Sequence, residues 1–275
     1  FKRWTGDEIY DFRYGLYRAL LIPEHHQLTD ADNNNHLDRT RSIFYSGITF
    51  VPFTLRSELI HFKLLKVLDL SCVETSGFPL EILSLIWLRY LALKFYDNFV
   101  IPPEICRLWN LQTIIVEGSG EVYLPEQIWG LMQLRHLEGK RLVLPNISVD
   151  KGKNMGFSNI QTISRLSSQC CTKEVILGIQ NVKKLRIYGD EDNRSFWNNL
   201  VHLHQLESLS LYFLMANSGF PSAKAFPTTL KKLKLTGTHL IWSNLDVIAE
   251  LPNLEVLKLT WSACRDGEWD PNVRV

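Results

Sequence analysis

Four places in this chain carry side chains whose types and spacing could do chemistry. Asp30-Ala31-Asp32-Asn33-Asn34-Asn35 sets carboxylate and amide oxygens at alternate positions, as a calcium-binding loop does. Such a loop needs Gly at its sixth position for the sharp turn and a bidentate Glu at its twelfth. Asn35 and Arg41 stand there instead, so the segment reads as polar linker. His25 and His26, with Glu24 and the more distant His36, offer possible metal ligands, but their spacing matches no zinc motif and no cysteine is near. Cys170 and Cys171 are adjacent, which strains a mutual disulfide, and no C-x-x-C accompanies them. His202 and His204 flank Leu203 in a stretch where at most one of them faces the core, and neither has a nucleophile partner. The sequence holds no G-x-S-x-G elbow, no H-E-x-x-H and no G-x-x-x-x-G-K-[ST] phosphate loop. The chain is therefore read as a non-enzyme, with no catalytic, cofactor-binding or metal-ligating residues.

In composition, 275 residues with 45% hydrophobic and 21% charged side chains suffice for a substantial buried core. Thirty basic residues against 29 acidic leave a formal charge of +1, so no global field draws the chain onto nucleic acid or an anionic surface, and charge-driven contacts must be local. The longest apolar stretch, Phe78 to Leu91, is broken by Glu81, Ser84 and Arg89, which excludes a membrane span of about 20 residues. The opening Phe1-Lys2-Arg3-Trp4 has no initiator Met and no cleavable apolar leader, so a fragment is expected. Five scattered cysteines read as reduced thiols rather than as the paired caps of a secreted protein. The sequons at Asn146 and Asn193 point the other way only weakly.

What must position any binding residues is a repeat. The pattern L-x-x-L-x-L, with L any large aliphatic, begins at Leu65, Leu88, Leu111, Leu134, Ile160, Val182, Leu206, Leu230 and Leu254. Successive differences are 23, 23, 23, 26, 22, 24, 24 and 24 residues, within the roughly 20 to 29 of leucine-rich repeats. A degenerate copy at Thr40-Ile43-Tyr45 makes about ten. The fourth and sixth positions share one face of a short strand, and stacking neighbours in parallel turns those faces into one continuous core. Pro79, Pro102 and Pro125 each precede the next strand's first leucine by nine residues, and a fixed φ starts a short helical turn there. The fold predicted is α/β: a leucine-rich-repeat solenoid of horseshoe type, with parallel strands on the concave face and short helical or irregular turns on the convex face. The convex turns of the later repeats are expected to be irregular. The third position after each strand, where Asn or Cys usually satisfies turn amides, is instead Val73, Tyr96, Ser119, Leu142, Ser168, Asp190, Leu214, Thr238 and Ser262, so a less regular stack is expected.

Side chains alternating with the core aliphatics are free of packing duty and are the candidate protein-binding surface. They include the aromatics Tyr90, Phe95, Tyr188, Tyr212, Phe213 and Trp261 and the cations Lys184, Arg186, Lys232, Lys234 and Lys258. Aromatics with Arg dominate binding hot spots. Lys234 and Lys258 fall in one column of neighbouring strands, where like charges repel unless an acidic partner neutralises them.

Leu65-Lys66-Val67-Leu68-Asp69-Leu70, Ile101-Pro102-Pro103-Glu104-Ile105-Cys106-Arg107-Leu108-Trp109-Asn110-Leu111, Leu124-Pro125-Glu126-Gln127-Ile128-Trp129 and Leu251-Pro252-Asn253-Leu254-Glu255-Val256-Leu257 resemble the plant intracellular nucleotide-binding leucine-rich-repeat disease-resistance proteins. The resemblance is strongest to the late blight resistance proteins of the nightshade group and covers about Arg39 to Trp269. It implies a cytoplasmic innate-immunity receptor, at most peripheral to membranes, that controls the hypersensitive response. The repeats would bind a pathogen effector, the receptor's own nucleotide-binding module in autoinhibition, or both. Residues 1–38 would then be linker or the tail of the preceding module, and 39–275 a repeat domain whose array continues past 275. ATP or ADP is expected only in the upstream module, with no cofactor in this fragment. An extracellular leucine-rich-repeat receptor or inhibitor module is the alternative, but its oxidised caps and L-x-G-x-I-P turns are missing.

Overall fold

A computed structural model describes residues 18–21, 39–45, 59–75, 77–147, 157, 159–189, 196–212 and 220–264. The chain divides into two compact units, with the boundary after Leu142.

In the first unit, β1 (Arg18–Leu21), β2 (Ser42–Tyr45), β3 (Val67–Glu74) and β4 (Tyr90–Phe95) pair in parallel, each with the next. Two-residue β5 (Phe99–Val100) follows, and β6 (Thr113–Gly118) then pairs with β4. The short β7 (Val122–Tyr123) pairs with β5, making a second parallel ladder beside the main one. β8 (His136–Gly139) pairs with β6, and β9 (Leu142–Val143) falls on the boundary. The register is the repeat made physical. Leu68, Leu91, Ile114 and Leu137 are successive partners, and none exceeds 1% exposure. The lead-in residues Leu65, Leu88, Leu111 and Leu134 are buried as well.

The proline-marked turns are 3₁₀ helices, Leu80–Ser84, Pro103–Arg107 and Glu126–Gly130, preceded by Pro79, Pro102 and Pro125 in extended conformation. Ile82, Ile105 and Ile128 seal each of them against the core. The degenerate copy is a true strand: Thr40 and Ile43 are buried, and Ile43 partners Leu68. β1 lies inside the 1–38 stretch expected as linker. Its register aligns Ala19 with Ile43, so the aliphatic signal of that repeat is blunted by an alanine at its central position.

In the second unit, β10 (Thr162–Ser167), β11 (Lys184–Tyr188), β12 (Ser208–Tyr212), β13 (Lys232–Thr236) and β14 (Val256–Thr260) form one parallel ladder. Leu185, Leu209, Leu233 and Leu257 run through it as partners, followed by Ile187, Leu211, Leu235 and Leu259. The convex turns here are more helical than the irregular loops expected: α1 (Lys173–Gly178), α2 (Trp197–Leu200) and α3 (Asn244–Ala249). α1 is capped by Thr172, whose Oγ1 accepts from the Val175 amide at 3.3 Å, a contact that satisfies one of the free amides of a first helical turn.

Without an asparagine ladder, the turns find substitutes. Ser119 donates its hydroxyl to the Tyr96 carbonyl, and buried Thr238 donates to the Ala263 carbonyl at 2.9 Å. Val73 and Leu142 occupy the same slot as core residues. No helix among the described residues is long and apolar enough to cross a membrane.

Candidate protein-binding surface

The open face of each ladder carries the residues that alternate with the buried aliphatics. In the second unit, Lys184, Arg186, Lys232 and Lys258 are exposed, and Tyr188, Tyr212 and Lys234 are half-buried. The register sets Arg186, Ser210, Lys234 and Lys258 in one column. Tyr212, in the neighbouring column with Tyr188 and Thr236, gathers cations: the Arg165 guanidinium lies 5.2 Å and the Lys234 ammonium 5.6 Å from its ring centroid, distances at which a cation is attracted to the ring. Arg186 Nη1 donates to the Oγ of buried Ser164 at 3.4 Å.

Arg165 was not among the expected residues. It adopts φ 55°, in the left-handed region, at a register irregularity between Ile163 and Leu166. The signal was present in the sequence: after Ile160 and Ile163 the next core aliphatic should be residue 165, but it arrives one residue late as Leu166, which is 0% exposed. The extra residue is the bulge, and it throws Arg165 onto the open face.

Two expected aromatics need correction or restriction. Phe95 is buried at 3% exposure, with its ring stacked on Phe99 at 3.4 Å. It continues the inward series Leu91, Leu93, and β5 supplies the partner that receives it. Phe213 lies outside the described residues, as do His25, His26, His36 and the Asp30–Asn35 segment. Trp261 holds the equivalent position after Leu257 and Leu259, yet it is 70% exposed. Leu257 and Leu259 before it are themselves 39% and 37% exposed, and the backbone at Trp261 departs from the strand as well. Trp261 has φ 43° and Ser262 φ 52°, where the neighbouring repeat uses Gly237 at φ 62°. The Gly237 amide donates to the Trp261 carbonyl at 2.7 Å. The strand alternation thus ends in a left-handed turn at Trp261, and for a non-glycine residue such a turn stores strain.

The first unit presents a different face. Half-buried Tyr90 stands at the start of β4 between Asp69 on β3 and Glu117 and Glu138 on β6 and β8. Burial first, then the charges of Asp69, Glu138 and Glu117, hold its phenol above the ordinary value. Lys94 pairs in register with Glu74 and Glu117.

Cys170 and Cys171 are buried, and burial followed by the neighbouring Cys170 pushes the Cys171 thiol far up from its ordinary value, opposite to what a redox cysteine requires. His204 is exposed and His202 half-buried. Among the described residues no group of three His, Cys, Asp or Glu side chains could hold a metal ion.

A face built of stacked, in-register strands with variable side chains is what sequence comparison also finds. The profile of the family described as leucine-rich repeat region matches residues 39–268. The chain belongs to that family. One late blight resistance protein homolog of Solanum demissum is 33% identical over 247 residues, 82% of this chain and 18% of the relative. Another homolog from the same species is 34% identical over 230 residues, 77% of this chain and 17% of the relative. This leucine-rich-repeat chain thus spans under a fifth of the length of those relatives. Among solved structures, a leucine-rich-repeat protein of Leptospira interrogans matches with a TM-score of 0.53 and 20% identity, covering 82% of this chain and 55% of that one. That likeness concerns the fold. The matched family is one of repeats rather than of catalysts.

Proposed function

We propose that this chain is the recognition region of an intracellular plant resistance protein and acts without catalysis of its own. It binds an acidic protein surface through the open face of the second unit, the partner being a pathogen effector or the receptor's own nucleotide-binding module. The observation that carries this reading is the cation-rich face around Tyr212. Arg165, Lys184, Arg186, Lys232, Lys234 and Lys258 share one face, and no described carboxylate stands among the alternating positions of β11 to β14. Lys234 and Lys258 are direct partners in register, so their charges oppose each other, roughly 5 Å apart. A carboxylate from outside relieves that repulsion and takes up hydrogen-bond donors already held by the scaffold. Exposed Trp261 and half-buried Tyr188 and Tyr212 add area of the kind that anchors protein interfaces.

In this reading the repeats need no cofactor, and any nucleotide switch belongs to the rest of the receptor. An effector shifts that switch only by its differential affinity for the active and inactive states. The test is co-precipitation in leaf tissue of this chain with a matching nucleotide-binding module and, separately, with candidate effectors, using wild type and Lys232→Glu/Lys234→Glu/Lys258→Glu. Loss of one of these partners on charge reversal, at unchanged protein level, is the expected outcome. Equal capture by both versions sinks the assignment of the basic face.

A further inference from the structure

A different edge of the molecule, the turns that lead into the strands of the first unit, carries side chains that neither the core nor the open face explains. Two residues before each lead-in leucine stand Lys63, Ile86, Trp109 and Met132. Ile86, Trp109 and Met132 are 42%, 55% and 44% exposed, and Trp87 beside them is 44% exposed. The Trp87 and Trp109 rings meet at 6.4 Å between centroids, and Ile86 and Met132 hold the place of Trp109 on the turns to either side, so exposed apolar side chains recur along this edge. Immediately after each lead-in leucine come Lys66, Arg89, Gln112 and Arg135, linked through successive backbone hydrogen bonds of 2.8 Å from Arg89 to Lys66, Gln112 to Arg89 and Arg135 to Gln112. The adjoining 3₁₀ helix Pro103–Arg107 carries Glu104 in its first turn and Arg107 in its last, and adds no net charge of its own. In these columns the charged groups are all cationic.

The second unit supplies an internal control. Its residues at the positions of Ile86, Trp109 and Met132 are Gln180, His204, Thr228 and Pro252. The next column is polar, and there it performs a scaffold duty: Thr229 donates to the Leu206 carbonyl at 2.9 Å and Asn253 to the Thr228 carbonyl at 2.7 Å. Asn110 does the same for Ile86 at 3.0 Å, whereas Trp87 puts an indole in that slot. After the lead-in aliphatic, the second unit alternates Lys183, Glu207, Lys231 and Glu255, which neutralises the edge. At these lead-in positions the repeat fold is therefore built without tryptophans and without charges of one sign. Both features in the first unit are additions to the scaffold.

We infer that the edge formed by Ile86, Trp87, Trp109 and Met132 with Arg89 and Arg135 is a docking surface for an anionic lipid bilayer. The chemistry is that of peripheral attachment. Indoles and aliphatic side chains settle at the headgroup level, and Lys and Arg meet the negative surface. Exposed apolar side chains spread over successive turns suit a deformable bilayer, and the absence of carboxylates in these columns removes the repulsion that would oppose it. This attachment is independent of the basic open face of the second unit.

The test is flotation of this chain with vesicles of phosphatidylcholine alone and of phosphatidylcholine with phosphatidylserine. Binding to the anionic vesicles only is expected, together with quenching of tryptophan fluorescence by lipids carrying brominated chains. Trp87→Gln/Trp109→Gln and, separately, Arg89→Gln/Arg135→Gln should each weaken it by at least about tenfold with circular dichroism unchanged. Gln is chosen because Gln180 fills the equivalent place in the second unit. Failure of wild type to float with anionic vesicles overturns the inference and leaves a protein as the occupant of this edge. Equal flotation of wild type and both pairs overturns it too, as does loss confined to Lys232→Glu/Lys258→Glu.

Discussion

The two units of this chain share a backbone plan and oppose each other in surface chemistry. Leu91 in the first and Leu209 in the second are buried at 1% and 0% exposure by the same in-register stacking. Yet the first unit surrounds Tyr90 with Asp69, Glu117 and Glu138, and the second surrounds Tyr212 with Arg165 and Lys234. The lead-in edge reverses the contrast, being one-signed and apolar in the first unit and charge-alternating in the second. A strand of period two separates two sets of residues. One set is fixed by the core and the other is free, so neighbouring stretches of one array can evolve separate binding surfaces without disturbing the scaffold.

The largest effect tests whether the scaffolds are equivalent. Leu91→Ala and Leu209→Ala should each destabilise by about 2–5 kcal/mol in urea denaturation. Leu257→Ala, at 39% exposure in β14, should cost less than half as much, because part of that side chain is already in water. Equal losses at all three positions would break the claim that the shared buried ladder is the source of stability in both units.

A smaller effect sharpens the difference at the strand ends. Trp261→Gly puts glycine where Gly237 already serves the neighbouring repeat, so thermal unfolding should show a gain of about 1 kcal/mol. The same variant should bind the acidic partner less well. A loss of stability would mean that the indole packs for the fold rather than standing out for recognition.

The smallest effect reads the acidic face alone. The Tyr90 phenol lies above its ordinary value of 10.0, so the folded chain keeps a proton that the unfolded chain releases. The stability this contributes is complete below about pH 10 and is lost as pH rises from there through the folded value. Ultraviolet difference titration of wild type minus Tyr90→Phe should show the raised ionisation, and Glu138→Gln should bring it down. A Tyr90 ionisation unaffected by Glu138→Gln would remove that carboxylate from its surroundings.

Most of the ladder was legible because aliphatics recur at 22 to 26 residues and each prolyl turn announces itself. β1 was not, because Ala19 occupies the position where Ile43 sits one repeat later. The second ladder of β5 and β7 went unseen, since two-residue strands carry no period. That omission also hid the fate of Phe95: strict alternation points it inward after Leu91 and Leu93, and Phe99 on β5 receives it. Trp261 obeys the same alternation in sequence and escapes it in space, because a positive φ on tryptophan has no reliable sequence signature. The basic face was readable strand by strand, except for Arg165, whose place depends on a bulge.

The in-register stacking of Arg186, Ser210, Lys234 and Lys258 also limits the geometry of whatever lies across it. Such a column advances by about 4.8 Å per strand, whereas alternate side chains of an extended peptide advance by about 7 Å. Three steps put the two rulers more than one strand apart. An α-helix, with a pitch of about 5.4 Å, loses less than half a strand over the same span. Acidic side chains repeated once per helical turn therefore stay in phase with this column, and those alternating along a fully extended strand do not.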